Sequence, residues 1–358
     1  MCVHIRIVGC GLIGTSIGLA LSRSGFRVSL SDPSPTSQAI ARDMGAGEID
    51  VTDAPEVVVV AAPPDVVVSV VRAELDRWPG AVVTDVASMK QQVLDELRSA
   101  GADLSRYVGS HPMAGRERSG AVAARADLFE GRTWVICPTQ DDDPGAVAAV
   151  RTVAEATGAA TTTMDAAEHD HAVAAVSHVP QIAASLVAVR LRELSDEAIG
   201  LSGQGIRDVT RIAESDPMLW TQILAGNAAA VAPVLDALLD DLGRVRQAVT
   251  DLAAGNEDGA RQVLARVIAD GQLGHARIPG KHGSAPTTYA TLVVVVPDRP
   301  GELGRLFNDI GAAGVNMEDL RLEHGQGAPV GLAEVSVLPS VAERLRDELT
   351  AKGWSVHE

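Results

Sequence analysis

A histidine set among glycines and a proline is the first residue of this chain whose type and position suggest chemistry. His111 lies in the run GSHPMAG at residues 109–115. An imidazole titrates near neutral pH, so this side chain can accept a proton from a bound molecule. Pro112 and the flanking glycines predict an irregular loop rather than a helix or strand. Taken alone, such a histidine is more often a surface turn residue, so its interpretation depends on what precedes it in the chain.

A glycine motif near the N-terminus supplies that context. The run GCGLIG at residues 9–14 follows a short apolar stretch and opens a predicted helix. Gly9 allows the tight turn, Gly11 lets the backbone approach a pyrophosphate, and Gly14 lets the helix pack on the sheet. The pattern predicts a dinucleotide-binding fold, in which His111 would take a proton while a nicotinamide takes a hydride.

Two further positions are expected along the cofactor. Asp32 ends the second predicted strand, where a carboxylate can bind a ribose 2′-hydroxyl and would repel a 2′-phosphate, so NAD is predicted rather than NADP. The alternative for Asp32 is a plain turn residue before Pro33. The loop AAPPD at residues 61–65 follows the third predicted strand and should also lie along the cofactor. The predicted cofactor contacts are Gly9, Gly11, Leu12, Ile13, Gly14, Asp32 and Pro63.

Three more polar groups are candidates for substrate contact. Ser88 and Gln91 match a capping box, so the serine is a helix N-cap, a substrate contact, or both. His171 and His178 are seven residues apart, which places them on one helix face and suggests a polar patch lining a cleft. Pro180 should kink that helix. A metal site usually needs histidines four residues apart and a third ligand, so none is predicted.

An arginine in a glycine-containing stretch completes the set. Arg211 lies in GQGIRDVTRIA at residues 203–213, ahead of SDPMLW at residues 215–220. A guanidinium in such a place suits bidentate binding of a carboxylate. The alternative is the start of a surface helix that carries an ion pair between Asp208 and Arg211.

Composition narrows the class of protein. The 358 residues are 46% apolar and carry a net charge of −17, without clusters of Lys and Arg, so nucleic acid is not expected as a partner. The three cysteines show no CxxC spacing, which argues against disulfides and zinc and favours a reducing, cytoplasmic compartment. No signal peptide and no run of about 20 uncharged apolar residues is evident, so no membrane association is predicted.

Three compositional zones must position these groups. In the first, apolar runs alternate with helical patterns, which predicts a parallel sheet covered on both faces. The second shows helical spacing without strand signals, including one continuous pattern over residues 219–253. The last zone follows the order β-α-β-β-α-β of a ferredoxin-like module. The predicted strands of the first zone are residues 3–8, 27–31, 57–61, 81–84 and 133–137. The predicted domains are a Rossmann-type domain at 1–164, an all-helical domain at 165–278, a linker at 279–289 and the final module at 290–358.

The ordered motifs together resemble the prephenate/arogenate dehydrogenase family of tyrosine biosynthesis. They are GCGLIG, DVASMK, GSHPMAG with GRERSG, EHD followed by SHVP, and RDVTRIAESDPMLW, and they cover nearly the whole chain. The C-terminal motifs DRPGEL at residues 298–303 and GVN at residues 314–316 resemble an ACT domain. Such domains bind amino acids and regulate enzymes of amino-acid metabolism.

The resemblance implies an oxidative decarboxylation of a cyclohexadienol that carries a ring carboxylate and a 4-hydroxyl. His111 matches the histidine that accepts the hydroxyl proton, and Ser88 matches the serine that holds the same hydroxyl and orients that histidine. Arg211 matches the arginine that binds a substrate carboxylate. Acidic residues around that arginine are matched by Glu117 and Asp208, and pocket residues of the helical domain by His178 and Trp220.

One departure from the family pattern leaves the substrate open. Many members have a second histidine where this chain has Gln181, a neutral amide that fits either the keto side chain of prephenate or the ammonium of arogenate. Prephenate is the expectation, because members of the family with an ACT domain often use it, and arogenate is the alternative.

The family also implies assembly and regulation. A homodimer through the helical domain is expected, with tyrosine as an effector bound near Pro300, Gly301 and Asn316; the alternative is a purely structural C-terminal module. A 3-hydroxyacid dehydrogenase would share the layout, but the HPMAG run argues against it. A non-catalytic amino-acid sensor is disfavoured because Ser88, His111 and Arg211 are all present.

Overall fold

The computed structural model describes residues 3–49, 51–115, 120–279, 289–324 and 329–357. The chain divides into two units, residues 1–242 and 243–358, and the division falls within one long helix. Glu117 and most of the predicted linker lie outside the described residues.

A four-stranded parallel sheet forms the first half of the N-terminal unit. Its order is β2-β1-β3-β4, with helices α1 to α4 following the four strands in turn. Valine and isoleucine side chains on both faces of these strands are buried, because helices cover the sheet on both sides. This confirms the predicted Rossmann-type arrangement. The elements are β1 His4–Val8, α1 Leu12–Arg23, β2 Arg27–Ser31, α2 Pro35–Asp43, β3 Val57–Val60, α3 Val67–Arg77, β4 Val82–Asp85 and α4 Gln91–Ser99.

A second sheet of three strands follows, and it corrects two predictions. Its order is β5-β6-β7, from β5 Gly109–Pro112, β6 Thr133–Cys137 and β7 Ala160–Thr163, with α5 Pro144–Ala156 between the last two. Strand β5 runs antiparallel to β6, so the first zone is not a single parallel sheet.

His111 therefore lies in a strand and not in an irregular loop. Pro112 is tolerated there because β5 is the edge of its sheet and the proline is its last residue. Just before β5, the Val108 amide donates to the Val83 carbonyl of β4 at 3.0 Å, which joins the start of β5 to β4.

The helical zone contains no strand between residues 165 and 276, as predicted. Two details differ. The predicted continuous helix over residues 219–253 is broken at Asn227 into two helices, α10 and α11. Ahead of Pro180 the chain forms a π-helical segment, Ala174–His178. The helices are α6 Ala166–Val173, α7 Val179–Leu191, α8 Asp196–Ile199, α9 Gln204–Thr210, α10 Pro217–Gly226, α11 Ala228–Ala253 and α12 Ala260–His275.

The helical run Ala166–Leu191 is long and apolar enough to pass a test for a membrane span, with a mean hydropathy of 1.7. It also carries four buried polar side chains that are hydrogen-bonded to other parts of the N-terminal unit: His169, Asp170, His178 and Gln181. Those contacts are typical of a core helix.

The C-terminal unit ends in the predicted βαββαβ order. Its four strands form an antiparallel sheet in the order β11-β8-β10-β9, the arrangement of a ferredoxin-like module. Two helices bury leucine and isoleucine side chains against one face of that sheet. The elements are β8 Ala290–Pro297, α13 Glu302–Ala312, β9 Asp319–His324, β10 Val330–Val337, α14 Pro339–Ala351 and β11 Ser355–His357.

Candidate active site

The glycine turn between β1 and α1 has the shape that its sequence predicts. Gly9 has a φ of +105°, and a Cβ there would overlap the carbonyl oxygen of Ala61. A Cβ on Gly14 would overlap the Gly9 carbonyl oxygen. A Cβ on Gly11, in contrast, would meet nothing within 4 Å. Two of the glycines are therefore needed for packing, and the middle one leaves open space beside the helix N-terminus.

The first residues of α1 face that space with unused backbone donors. The first hydrogen bond within the helix runs from the Thr15 amide to the Gly11 carbonyl at 3.1 Å. The amides of Leu12 and Ile13 precede it and have no partner within the helix. Such a helix start attracts an anion through its N–H groups and its dipole. The turn thus fits the pyrophosphate of a dinucleotide.

Asp32 lies at the end of β2, against the same turn. One carboxylate oxygen accepts a hydrogen bond from the Cys10 amide at 2.6 Å, and the other accepts one from the Ser34 amide at 2.7 Å. Each oxygen retains a second lone pair, so the half-buried carboxylate can still accept a hydroxyl. The two alternatives for Asp32 are compatible, because its carboxylate shapes the turn and keeps a lone pair on each oxygen for a hydroxyl. Pro63 is exposed, and its carbonyl accepts from the first amides of the α3 region, Val66 and Val67.

His111 is held by a chain of hydrogen bonds that begins at a buried carboxylate. Its Nδ1 lies 2.9 Å from Nε2 of His169, and Nδ1 of His169 lies 2.8 Å from Asp170. Asp170 also accepts from the backbone amides of Lys90 and Gln91, each at 2.8 Å. The carboxylate can only accept, so His169 donates from Nδ1 and accepts at Nε2, and His111 donates from Nδ1. Nε2 of His111 is left as an unprotonated base.

The surroundings keep that base neutral. The pKa of His111 is held well below its usual value, first by burial and then by repulsion from His169, Lys90 and His178. A neutral imidazole near pH 7 is what a general base requires. His169, which sequence reasoning left within the EHDH run without a role, is the residue that touches His111 directly.

Lys90 lies beneath β5 and is almost completely buried, at 1% exposure. Its ammonium is hydrogen-bonded to the Asp85 carboxylate and donates to the Ser110 carbonyl at 2.7 Å. The Tyr107 hydroxyl donates to the other Asp85 oxygen at 2.6 Å. This buried ion pair ties β4 to the residue before His111. Lys90 was part of the DVASMK motif, but nothing in the sequence distinguished it from a surface lysine.

Ser88 is half-buried in the loop between β4 and α4. The predicted capping box does not form, because α4 begins at Gln91 and its first amides are capped by Asp170 instead. Among the described residues the Ser88 hydroxyl has no hydrogen-bond partner, and the bond that orients His111 comes from His169. The expected role of Ser88 in orienting His111 is therefore not seen in this structure.

His178 forms a second buried imidazole in the helical part of the unit. The Asn227 amide donates to His178 Nδ1 at 3.1 Å, which leaves Nε2 as the protonated nitrogen. The Trp220 ring packs edge-on against it, with 6.0 Å between the ring centroids. Burial lowers the pKa of His178 to about 4. His178 is therefore a neutral donor at pH 7.

The predicted pairing of His171 with His178 on one helix face is wrong. His171 is exposed, whereas His169 is the histidine that is buried with His178. The reason is the π-helical segment Ala174–His178, which has more residues per turn than an α-helix and so shifts the spacing.

Gln181 is buried one turn beyond His178. Its Nε2 donates to the Ser185 hydroxyl at 3.4 Å, and its Oε1 accepts from the Ser215 hydroxyl at 3.3 Å. Both ends of the amide are therefore engaged within the protein.

A cavity of about 470 Å³ opens beside the end of β5. It contains Arg211 and the three residues that follow Pro112, together with two further arginines and two carboxylates, so its lining is strongly polar. The lining residues are Met113, Ala114, Gly115, Arg125, Asp127, Leu128, Glu130, Arg132 and Arg211. Asp208 is exposed and accepts from Gln204 at 2.8 Å, and Glu117 lies outside the described residues.

Two family models match this sequence. The prephenate dehydrogenase nucleotide-binding domain matches residues 17–163, and the prephenate dehydrogenase dimerization domain matches residues 165–266. This chain belongs to the prephenate dehydrogenase family. The resemblance seen in the ordered motifs is thereby confirmed, and the chain is an oxidoreductase of this family with a nucleotide-binding domain. Neither match extends into the C-terminal βαββαβ module.

Individual relatives support the same assignment. The chain is 39% identical to a probable prephenate dehydrogenase, NovF, of Streptomyces niveus, over 97% of this chain and 98% of the relative. Among solved structures, it resembles the prephenate dehydrogenase of Aquifex aeolicus in complex with hydroxyphenyl propionate and NAD+, at 27% identity and a TM-score of 0.64, over 75% of this chain and 98% of that one. It also resembles the arogenate dehydrogenase of Synechocystis, at 25% identity and a TM-score of 0.60, over 75% and 99% of the two chains.

Proposed function

We propose that this family member is an NAD-dependent prephenate dehydrogenase, which converts prephenate to 4-hydroxyphenylpyruvate with loss of CO2. The observation that carries the proposal is the hydrogen bond between His111 Nδ1 and His169, from which an unprotonated Nε2 follows, in a domain whose glycine turn fits a dinucleotide. This base would remove the proton of the substrate 4-hydroxyl. Bound NAD would supply the acceptor for the hydride from C4. Loss of CO2 then makes the ring aromatic, which drives the reaction forward.

The remaining side chains would bind and orient the substrate. Arg211 and the arginine-rich cavity suit the carboxylates of prephenate. The Ser88 hydroxyl has no partner among the described residues and would hold the 4-hydroxyl. His178 would donate from Nε2 to the substrate, and Trp220 packs against its ring.

NAD rather than NADP is proposed because of Asp32. Its carboxylate already accepts two backbone N–H groups at the glycine turn, so it is anchored where the adenosine ribose would lie. The negative charge of Asp32 would repel the 2′-phosphate of NADP.

The Gln181 amide is neutral and both of its ends are engaged with serine hydroxyls, so it does not by itself distinguish prephenate from arogenate. Prephenate is proposed because members of the family with an ACT domain often use it. The name of the Streptomyces niveus relative points the same way. Arogenate is the alternative substrate, with tyrosine as the direct product.

We further propose a cytoplasmic homodimer with a regulatory C-terminal ACT domain. Large apolar side chains are exposed on the helical part that matches a dimerization domain, among them Leu186, Leu201, Met218 and Leu239. In the βαββαβ module, Gly301 has a φ of +92° immediately before α13, and Asn316 donates to Glu318 at 3.2 Å. With Pro300, these residues would bind tyrosine.

The deciding experiment follows the absorbance of reduced nicotinamide with prephenate or with arogenate, each with and without tyrosine. Turnover of prephenate with NAD, and little with NADP, is the expected result. Turnover of arogenate alone would transfer the proposal to the alternative substrate. Absence of turnover with both would reject a catalytic role. A rate that tyrosine does not change would reject the proposed effector.

A further inference from the structure

A buried histidine, His169, and a buried carboxylate, Asp170, lie next to the base, and the function proposed above gives neither a contact with substrate or cofactor. We infer that His169, oriented by Asp170, is a positioning residue that selects the reactive tautomer of His111. The inference rests on the proposed function for its kinetic consequence but not for its structural content.

The direction of every hydrogen bond in this chain follows from Asp170. Its two oxygens accept the backbone amides of Lys90 and Gln91 at the start of α4, each at 2.8 Å. These donors fix the orientation of the Asp170 carboxylate. His169 Nδ1 must therefore carry its hydrogen toward Asp170, at 2.8 Å. The unprotonated Nε2 of His169 then accepts from His111 Nδ1 at 2.9 Å.

Without an acceptor at His169 Nε2, no hydrogen bond would stabilise the tautomer of His111 that carries its hydrogen on Nδ1. Its Nδ1 faces His169 in the protein interior, where an unpaired donor is unfavourable. The ring would avoid this cost by moving the hydrogen to Nε2, which would remove the lone pair that the reaction needs. His169 thus acts on the rate through His111 alone.

The first test reads the tautomer directly and needs no turnover. The ¹⁵N resonances of the histidine rings are recorded at neutral pH for the wild-type protein and for His169→Leu, His169→Gln and His171→Leu. We expect an unprotonated Nε2 on His111 in the wild type and a protonated Nε2 in His169→Leu. His169→Gln should keep the wild-type tautomer, because its amide can donate to Asp170 and accept from His111. His171→Leu is the matched control, since it removes an exposed histidine from the same helix.

The second test is kinetic. In His169→Leu, kcat should fall by about 10²-fold or more, with the KM for NAD unchanged, and His169→Gln should recover most of that loss. The Asp170 cap on α4 stays intact in all of these variants, so the melting temperature serves as a check on folding. An unchanged His111 tautomer in His169→Leu, or an unchanged kcat, would overturn the inference. If the wild type turned over neither substrate, the proposed function would fail, and the ¹⁵N spectra would still decide the tautomer.

Discussion

The nucleotide turn and the proton-accepting site of this protein are built on different principles. The turn is made by backbone and by missing side chains, within residues 9–14 and the adjacent ends of two strands. The proton-accepting site is made by residues from three separated segments, which meet around His111. The nucleotide turn can be recognised from a short sequence motif, whereas the site around His111 depends on tertiary contacts. Substitutions should therefore act differently in the two regions.

The largest expected effect is the loss of the base itself. Replacing His111 with Asn should lower kcat by about 10²–10⁴-fold, because general-base catalysis contributes that much. NAD affinity should remain at the wild-type level, since the turn does not touch His111. Steady-state kinetics together with a titration of NADH fluorescence would separate the two quantities. Turnover within tenfold of wild type would show that another group takes the proton.

The next effect concerns the ion pair beneath the site. Lys90→Met would leave the fully buried Asp85 carboxylate without its cation, which should lower the free energy of unfolding by about 3–5 kcal/mol. Lys352→Met is the matched control, because Lys352 and Asp309 form a partly exposed pair at 3.0 Å in the C-terminal module. That change should cost at most about 1 kcal/mol. Urea unfolding of both variants tests this, and equal losses would refute the distinction.

The pH dependence of stability should be set by the buried histidines and not by the nucleotide turn. The pKa of His178 is about 4 in the folded protein against an ordinary value of 6.5, so between these values the unfolded chain binds more protons. Stability should therefore fall as the pH drops through this window, by up to about 3 kcal/mol from His178.

His178→Gln should flatten that dependence, because the titrating group is removed. The measurement is the free energy of unfolding of both proteins at several values of pH between 4 and 7. Parallel curves for the two proteins would contradict the assignment of the shift to His178. The lowered pKa of His111 should in addition keep kcat high at mildly acidic pH.

The smallest effects belong to the turn, where two glycines make a matched pair. Gly14→Ala should cost about 1–3 kcal/mol of stability, because its Cβ would overlap the Gly9 carbonyl oxygen. Gly11→Ala should leave the melting temperature unchanged, since open space surrounds that position, and should weaken NAD binding instead. Thermal unfolding and NADH titration of both variants test the separation. A loss of stability in Gly11→Ala would show that all three glycines serve packing.

The same contrast explains what the sequence could predict. The glycine turn, the parallel strands around it and the βαββαβ module follow local patterns, and all of them are confirmed. Strand β5 was missed because four residues with a proline carry no strand signal, and its pairing with β6 is a tertiary contact. His169 and Lys90 were missed because their roles depend on burial. Each lies in a polar stretch of sequence, which gives no sign that its side chain is buried. The prediction that His171 and His178 share a helix face was wrong because a π-helical segment lies between them, and no local sequence pattern indicates that segment.

Asp170 couples two properties that usually vary independently. The same carboxylate caps α4 and anchors the histidine chain, and its backbone carbonyl accepts from Asn227 at the break between α10 and α11. A substitution near Asp170 should therefore change the free energy of unfolding and kcat together. In a deep mutational scan, abundance and activity scores around Asp170 should therefore be correlated, whereas those around Gly11 should separate. The orientation of His111 therefore depends on the same carboxylate that caps the start of α4.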